Sequence, residues 1–221
     1  MPRIARGLSD GFVYHVINRG NNKQQVFHKD QDYDAFMDLV ASATKRFSVK
    51  LYAYCLMPNH FHFVVSPEQG TALSAWMHLI MTSHVRRYNK YYEVSGHVWQ
   101  GRFKSFPVQR DEHLLVLMRY VEGNPVRSGL TATARDWLWS SHRERIGESP
   151  TRFLAEVPIA LPEFWTRYVD AKWTESEIER VRECVNRQAP FGSSTWRDQV
   201  GREFGLESTM RPRGRPRKLQ D

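Results

Sequence analysis

Cysteine is scarce in this chain, with only Cys55 and Cys184 among 221 residues. Two thiols can build neither a disulfide framework nor a Cys-rich zinc site. Long apolar runs are missing too. Mean hydropathy is −0.59, and no stretch approaches the ~18 consecutive apolar residues of a membrane span. The first eleven residues carry Arg3 and Arg6 but no apolar segment of the secretory kind, so a cytoplasmic protein is expected. There is no internal repeat. Acidic residues are the minority charge, 24 against 32 Lys and Arg, which leaves a net +8. What is plentiful is core-forming material. Hydrophobic residues make up 41% and aromatics 13%, seven of them Trp, and this excludes global disorder.

The excess charge is unevenly spread. The final eleven residues, RPRGRPRKLQD, hold Arg211, Arg213, Arg215, Arg217 and Lys218 against Asp221 alone, half of the net charge. Alternating Pro and Gly forbid helix and strand ladder there, so the segment reads as an electrostatic arm for a polyanion. Pro212 to Pro216 resembles the AT-hook, whose Arg-Gly-Arg core enters the minor groove of A·T-rich duplex. A generic phosphate-binding tail is the other reading.

Along the body, Tyr14 to Asn18 reads as a first strand followed by a turn at Arg19 to Asn22. Asp30 is the expected cap of a helix to about Phe47, with Tyr33, Phe36, Met37, Val40 and Phe47 on one apolar face. Lys50 to Met57 and His60 to Ser66 read as a hairpin about Pro58-Asn59. Ala72 to Tyr91 reads as a long amphipathic helix. Val98 to Phe103 and Phe106 to Gln109 are expected strands, and Asp111 opens a helix that Pro125 ends. The order predicts an α+β fold, an antiparallel sheet with helices on one face. Beyond residue 147 the texture changes. A capping box at Thr174 to Glu177 opens one helix, and Ser193 or Ser194 opens another that Gly205 stops. The expected division is 1–147 as a main domain, 148–210 as a small helical extension, and 211–221 as the basic tail.

Two motifs carry chemistry. In Met57-Pro-Asn-His60-Phe-His62, positions i and i+2 of a strand share a face, so both imidazoles can meet one cation while Phe61 enters the core. The same tripeptide also arises with one histidine packed and the other exposed. In Tyr120-Val-Glu-Gly-Asn124-Pro, tyrosine and asparagine lie one helical turn apart, at the edge of the stripe Leu114, Leu117, Met118 and Val121. A border tyrosine and a helix-ending asparagine would look alike. A metal hydrolase on a larger barrel is excluded by length. Arg19, Gln100, Arg102 and Lys104, beside Trp99 and Phe103, combine cations with rings that single-strand bases can stack on. A solvated hairpin over a packed Trp is the competing reading.

Together these stretches, with Asn18-Arg19-Gly20, Trp99-Gln-Gly-Arg102-Phe103, Tyr120 to Arg127 and Asp136-Trp-Leu-Trp-Ser-Ser141, resemble the REP-associated tyrosine transposases. These belong to the HUH superfamily of single-tyrosine DNA nucleases. The resemblance spans about residues 12 to 147 and implies a ferredoxin-like HUH fold. It implies that Tyr120 attacks a phosphodiester to form a 5′-phosphotyrosine, and that His60, His62 and Asn124 hold Mg²⁺ or Mn²⁺. The implied substrate is hairpin DNA from repeated extragenic palindromes, presented as a single strand, in a nucleoid-associated cytoplasmic protein that is a monomer or dimer. DNA contacts are expected from Arg19, Gln100, Arg102, Lys104 and the five tail cations. Gly123 departs from the family's bulky apolar residue and is expected to loosen the helix end before Asn124. The rival class is a hairpin-binding regulator or architectural protein that does not cleave.

Overall fold

The computed structural model describes residues 7–150 and 153–211. Strands β1 (Val13–Arg19), β2 (Val49–Met57), β3 (His60–Pro67) and β4 (Lys104–Val108) form one antiparallel sheet in the order β2-β3-β1-β4. Pro58-Asn59 joins β2 to β3 with Met57 opposite His60, so the hairpin register follows from a two-residue turn. In β3 the alternation sends Phe61, Phe63 and Val65 into one core cluster and Val64 into the other, with His60 and His62 sharing the face of Val64.

Each face therefore needs its own cover, and each has it. Helices α1 (Asp30–Phe47) and α2 (Ala72–Tyr91) bring Tyr33, Phe36, Met37, Trp76 and Ile80 onto the first face. Helix α3 (Glu112–Glu122) lays Leu114, Leu117, Met118 and Val121 on the second, against Val13, Ala53, Cys55, Val64 and Phe106. The helices lie on both faces, where the sequence reading had them on one. Apolar side chains alternate to both sides of β2, and one layer of helices can bury only one face of a sheet, so each face takes its own cover.

Local details differ at two further places. Lys29, not Asp30, occupies the cap of α1, and buried Asp32 accepts the backbone N–H of His28 at 2.9 Å. The stretch expected as a strand from Val98 to Phe103 is irregular, and β4 starts at Lys104, within the expected turn. Gly101, at φ +74°, reverses the chain there, and its amide donates to the Trp99 carbonyl at 2.8 Å. The Gly20–Trp99 bridge and the Gln100 amide, which donates to the Arg19 carbonyl at 2.8 Å, tie this loop to the end of β1.

Helix α3 ends at Gly123, and Pro125 sits in the first turn of α4 (Asn124–Arg127), followed by α5 (His142–Arg145), α6 (Trp165–Asp170), α7 (Glu175–Arg187), α8 (Ser194–Glu203) and α9 (Glu207–Met210). The Thr174–Glu177 capping box and the Ser193 cap form as expected. Trp165, Val169, Val181, Cys184 and Phe191 are buried in the same cluster as α3. Both sheet edges are covered: Trp139 and Ser141 hydrogen-bond along β2, and Phe191 bridges Val108 on β4. Among the described residues, no helix is long and apolar enough to cross a membrane.

Candidate active site

Sheet register puts Ile17 opposite both His62 and Lys104, and Arg19 opposite His60, so these side chains share one face. Helix α3 crosses that face and delivers Tyr120 from above. The Tyr120 ring meets the His62 ring edge-to-face at 5.8 Å between centroids, and the two histidine rings are 5.0 Å apart. Asn124, one turn beyond Tyr120, brings its amide nitrogen to 3.4 Å from His60 Nε2. A cavity of about 500 Å³ is lined by Arg19, His60, His62, Gln100, Arg102, Lys104, Tyr120 and Asn124. Every site residue read from the body of the sequence lines this one space.

Arg211 is described and exposed; Arg213, Arg215, Arg217 and Lys218, with the AT-hook-like segment, lie outside the described residues. Other residues at the site were given no part in it from the sequence. Asn18 holds the Gly101 carbonyl at 3.1 Å, and Val185 and Asn186 come from α7, far along the chain. Arg127 lays its guanidinium 4.2 Å from the Tyr120 ring centroid and donates to the Tyr120 carbonyl. Trp173 meets that ring edge-to-face at 6.2 Å between centroids and lies 5.5 Å from the same guanidinium.

The electrostatics favour neutral ligands. Burial, then the charge of Arg19, pulls His60 down to about 4. Burial, then His60, His15 and Arg127, takes His62 well below its ordinary value. Both imidazoles therefore keep a lone pair at neutral pH. Burial also lowers Arg127, to about 10, which leaves it a cation beside the phenol. Cys55 is buried and its thiol is pushed up by burial, so it is no nucleophile.

Helix α3 is anchored behind the site. Glu122, fully buried, accepts from Ser141 at 2.6 Å, Trp165 at 2.6 Å, Arg145 at 2.8 Å and His142 at 3.0 Å. Burial alone would raise its carboxyl, but Arg145, His142 and Ser141 hold it down at about 2. Gly123 does not loosen the helix end. Its amide donates to the Arg119 carbonyl at 2.9 Å and its carbonyl accepts from Arg127 at 3.1 Å. A Cβ at 123 would lie 3.1 Å from an Arg127 guanidinium nitrogen and 3.3 Å from the Val169 carbonyl. The missing side chain makes room for Arg127 and α6.

A second acidic group, Asp111, Glu112 and His113, has ligand atoms within 4.8 Å of one another. Asp111 there caps α3 through the His113 amide at 2.9 Å and the His113 ring at 2.7 Å, while Arg180 donates to the same ring at 2.8 Å. Tyr120 stands nine residues further along, about 13 Å at 1.5 Å per residue.

Residues 9–124 match the family model described as "Transposase IS200 like". A REP-associated tyrosine transposase of Haemophilus influenzae is 27% identical over 159 residues, which cover 65% of this chain and 88% of that protein. A solved REP-associated tyrosine transposase bound to a REP hairpin has a similar fold. Its TM-score is 0.57 at 17% identity, covering 72% of this chain and 95% of that one.

Proposed function

Since the chain belongs to the IS200-like transposase family, we propose that it cleaves and rejoins single-stranded DNA with Tyr120 as nucleophile, in a metal-dependent reaction on REP-type hairpins. One observation carries this reading: Tyr120, His60, His62 and Asn124 share a cavity with Arg19, Gln100, Arg102 and Lys104. The similar solved transposase is bound to a REP hairpin, and the same substrate class is proposed here.

The donor set fits a divalent cation. Two neutral imidazoles and a carboxamide converge, and turning the Asn124 amide over would direct its oxygen toward His60. His60, His62 and Asn124 would hold Mg²⁺ or Mn²⁺, which supplies charge neutralisation at the scissile phosphate and at the departing 3′-oxygen. Tyr120 Oη attacks phosphorus, a new phenolic ester bond forms, and the bond to the 3′-oxygen breaks. The phenol loses its proton and the departing 3′-oxygen gains one, leaving a 5′-phosphotyrosine and a 3′-hydroxyl. The Arg127 guanidinium, 4.2 Å from the Tyr120 ring centroid, places a positive charge beside the nucleophile and the phosphate it attacks. The phenolate is in turn a good leaving group, so another 3′-hydroxyl can resolve the ester without ATP. Arg19, Arg102 and Lys104 supply cations for the DNA backbone, and the tail cations add sequence-independent contacts. Such a substrate fits a cytoplasmic, nucleoid-associated protein.

The test is incubation with labelled hairpin single strand and Mg²⁺, followed by a denaturing gel. Wild type should give an adduct that survives denaturation, and Tyr120→Phe should bind the DNA and give none. Binding without any wild-type adduct would instead favour the non-cleaving, hairpin-binding reading.

A further inference from the structure

The cavity histidines are each held from behind by a side chain with no assigned part in the site. Asn59, in the β2–β3 turn, brings Oδ1 to 2.7 Å from His60 Nδ1. Its own Nδ2 donates to the Lys23 carbonyl at 3.0 Å. That second bond fixes which end of the amide is which. The oxygen faces the ring, so His60 Nδ1 must carry the proton and Nε2 keeps its lone pair. His62 is held differently. Its Nδ1 lies 2.8 Å from His15 Nε2, and both rings are almost wholly buried. One of these two nitrogens donates and the other accepts. If His62 Nδ1 donates, its Nε2 is left as a lone pair, and no partner for that nitrogen is seen among the described residues.

The cost of that arrangement falls on His15. Its Nδ1 is buried without a hydrogen-bond partner, while its ring lies 4.9 Å from that of Phe106. An apolar residue would fill this position in β1 without an orphaned polar atom. A histidine at this position makes sense if His15 acts on His62.

We propose that Asn59 and His15 are positioning residues, each accepting an Nδ1 proton so that His60 and His62 present both Nε2 atoms to one divalent cation. The inference rests on the metal-site reading above but not on Tyr120 as nucleophile. Outer partners that fix ring tautomer and orientation in this way sustain metal affinity. A two-residue turn and the neighbouring central strand thus aim both ligands before any cation arrives.

The test uses the full-length, metal-free protein with ¹⁵N-labelled histidine. Long-range ¹H–¹⁵N spectra should show His60 and His62 as Nδ1–H tautomers. In Asn59→Ala the His60 signal, and in His15→Phe the His62 signal, should move toward the Nε2–H form. Asn59→Asp retains an acceptor oxygen and should restore the His60 tautomer. Mn²⁺ titration followed by electron paramagnetic resonance should show affinity falling about 10- to 100-fold in Asn59→Ala and His15→Phe. An Nε2–H tautomer at His62 in wild type would overturn the proposal, and this reading needs no variant to fold. So would Mn²⁺ affinity within twofold of wild type in both variants. Correct tautomers and Mn²⁺ binding without any tyrosine adduct would leave this proposal standing and the cleavage reading lost.

Discussion

A histidine that stays neutral when buried becomes a liability in acid. Burial sets His15 to about 3, and burial with neighbouring charge sets His60 and His84 to about 4. The unfolded chain takes these protons near pH 6.5, the folded protein only near 3 to 4, so stability falls as pH drops across that window. For buried His84 alone the loss is on the order of 3 kcal/mol, from ~1.4 kcal/mol per pK unit. Thermal melts between pH 7.5 and 4.5 should show Tm declining steadily below about 6.5. A flat profile would mean the imidazoles titrate normally. His60→Ala and His62→Ala should abolish cleavage while hairpin affinity stays within a few-fold, because phosphate contacts supply most of it. Filter binding beside the cleavage gel separates the two effects, and cleavage that persists in EDTA would remove the metal role.

At the scale of elements, the site was legible where its spacing was local. The i, i+2 histidines and the i, i+4 pair Tyr120 and Asn124 keep the same geometry in almost any strand and helix. His15 could not be read this way, since it meets His62 across 47 residues through strand register. Nor could Trp173, which reaches Tyr120 from a loop before α7. The false strand at Val98 to Phe103 has a local cause, because alternating apolar residues there are interrupted by a glycine at positive φ. Gly123 shows the opposite lesson, since only its neighbours in space explain it. Gly123→Val should displace Arg127 and the edge of α6, costing ~1–3 kcal/mol in urea unfolding. It should also slow adduct formation. Glu122→Ala should cost more, about 3–5 kcal/mol, because Arg145 loses its buried counter-charge.

Across the whole molecule, residues beyond 147 finish the core that α3 begins, and Arg119 donates to the Ala171 carbonyl at 2.7 Å. Composition changes at 147 were readable in sequence; that these later residues would pack behind the nucleophile was not. The tail is a separate matter. Removing everything after Met210 should leave Tm nearly unchanged and weaken DNA binding. If all five cations touch phosphate, the slope of log K against log[salt] should flatten by about 3 to 4 units, from ~0.7 per single-strand contact. An unchanged slope would show that the arm does not touch DNA.

The strand order has a kinetic consequence as well. Strand β1 sits inside the sheet, yet its partners are β3 and β4, the latter about ninety residues later, a delay of roughly 5–20 s at ribosomal speed. Until then Val13, Tyr14 and Val16, all buried in the finished protein, have no strand to pair with on that side. Loop closure over such a span is slow, and an apolar strand waiting that long is open to capture by a neighbouring chain. Expression yield should therefore depend on how fast the ribosome reaches Val108, and not on the equilibrium stability of the completed fold alone.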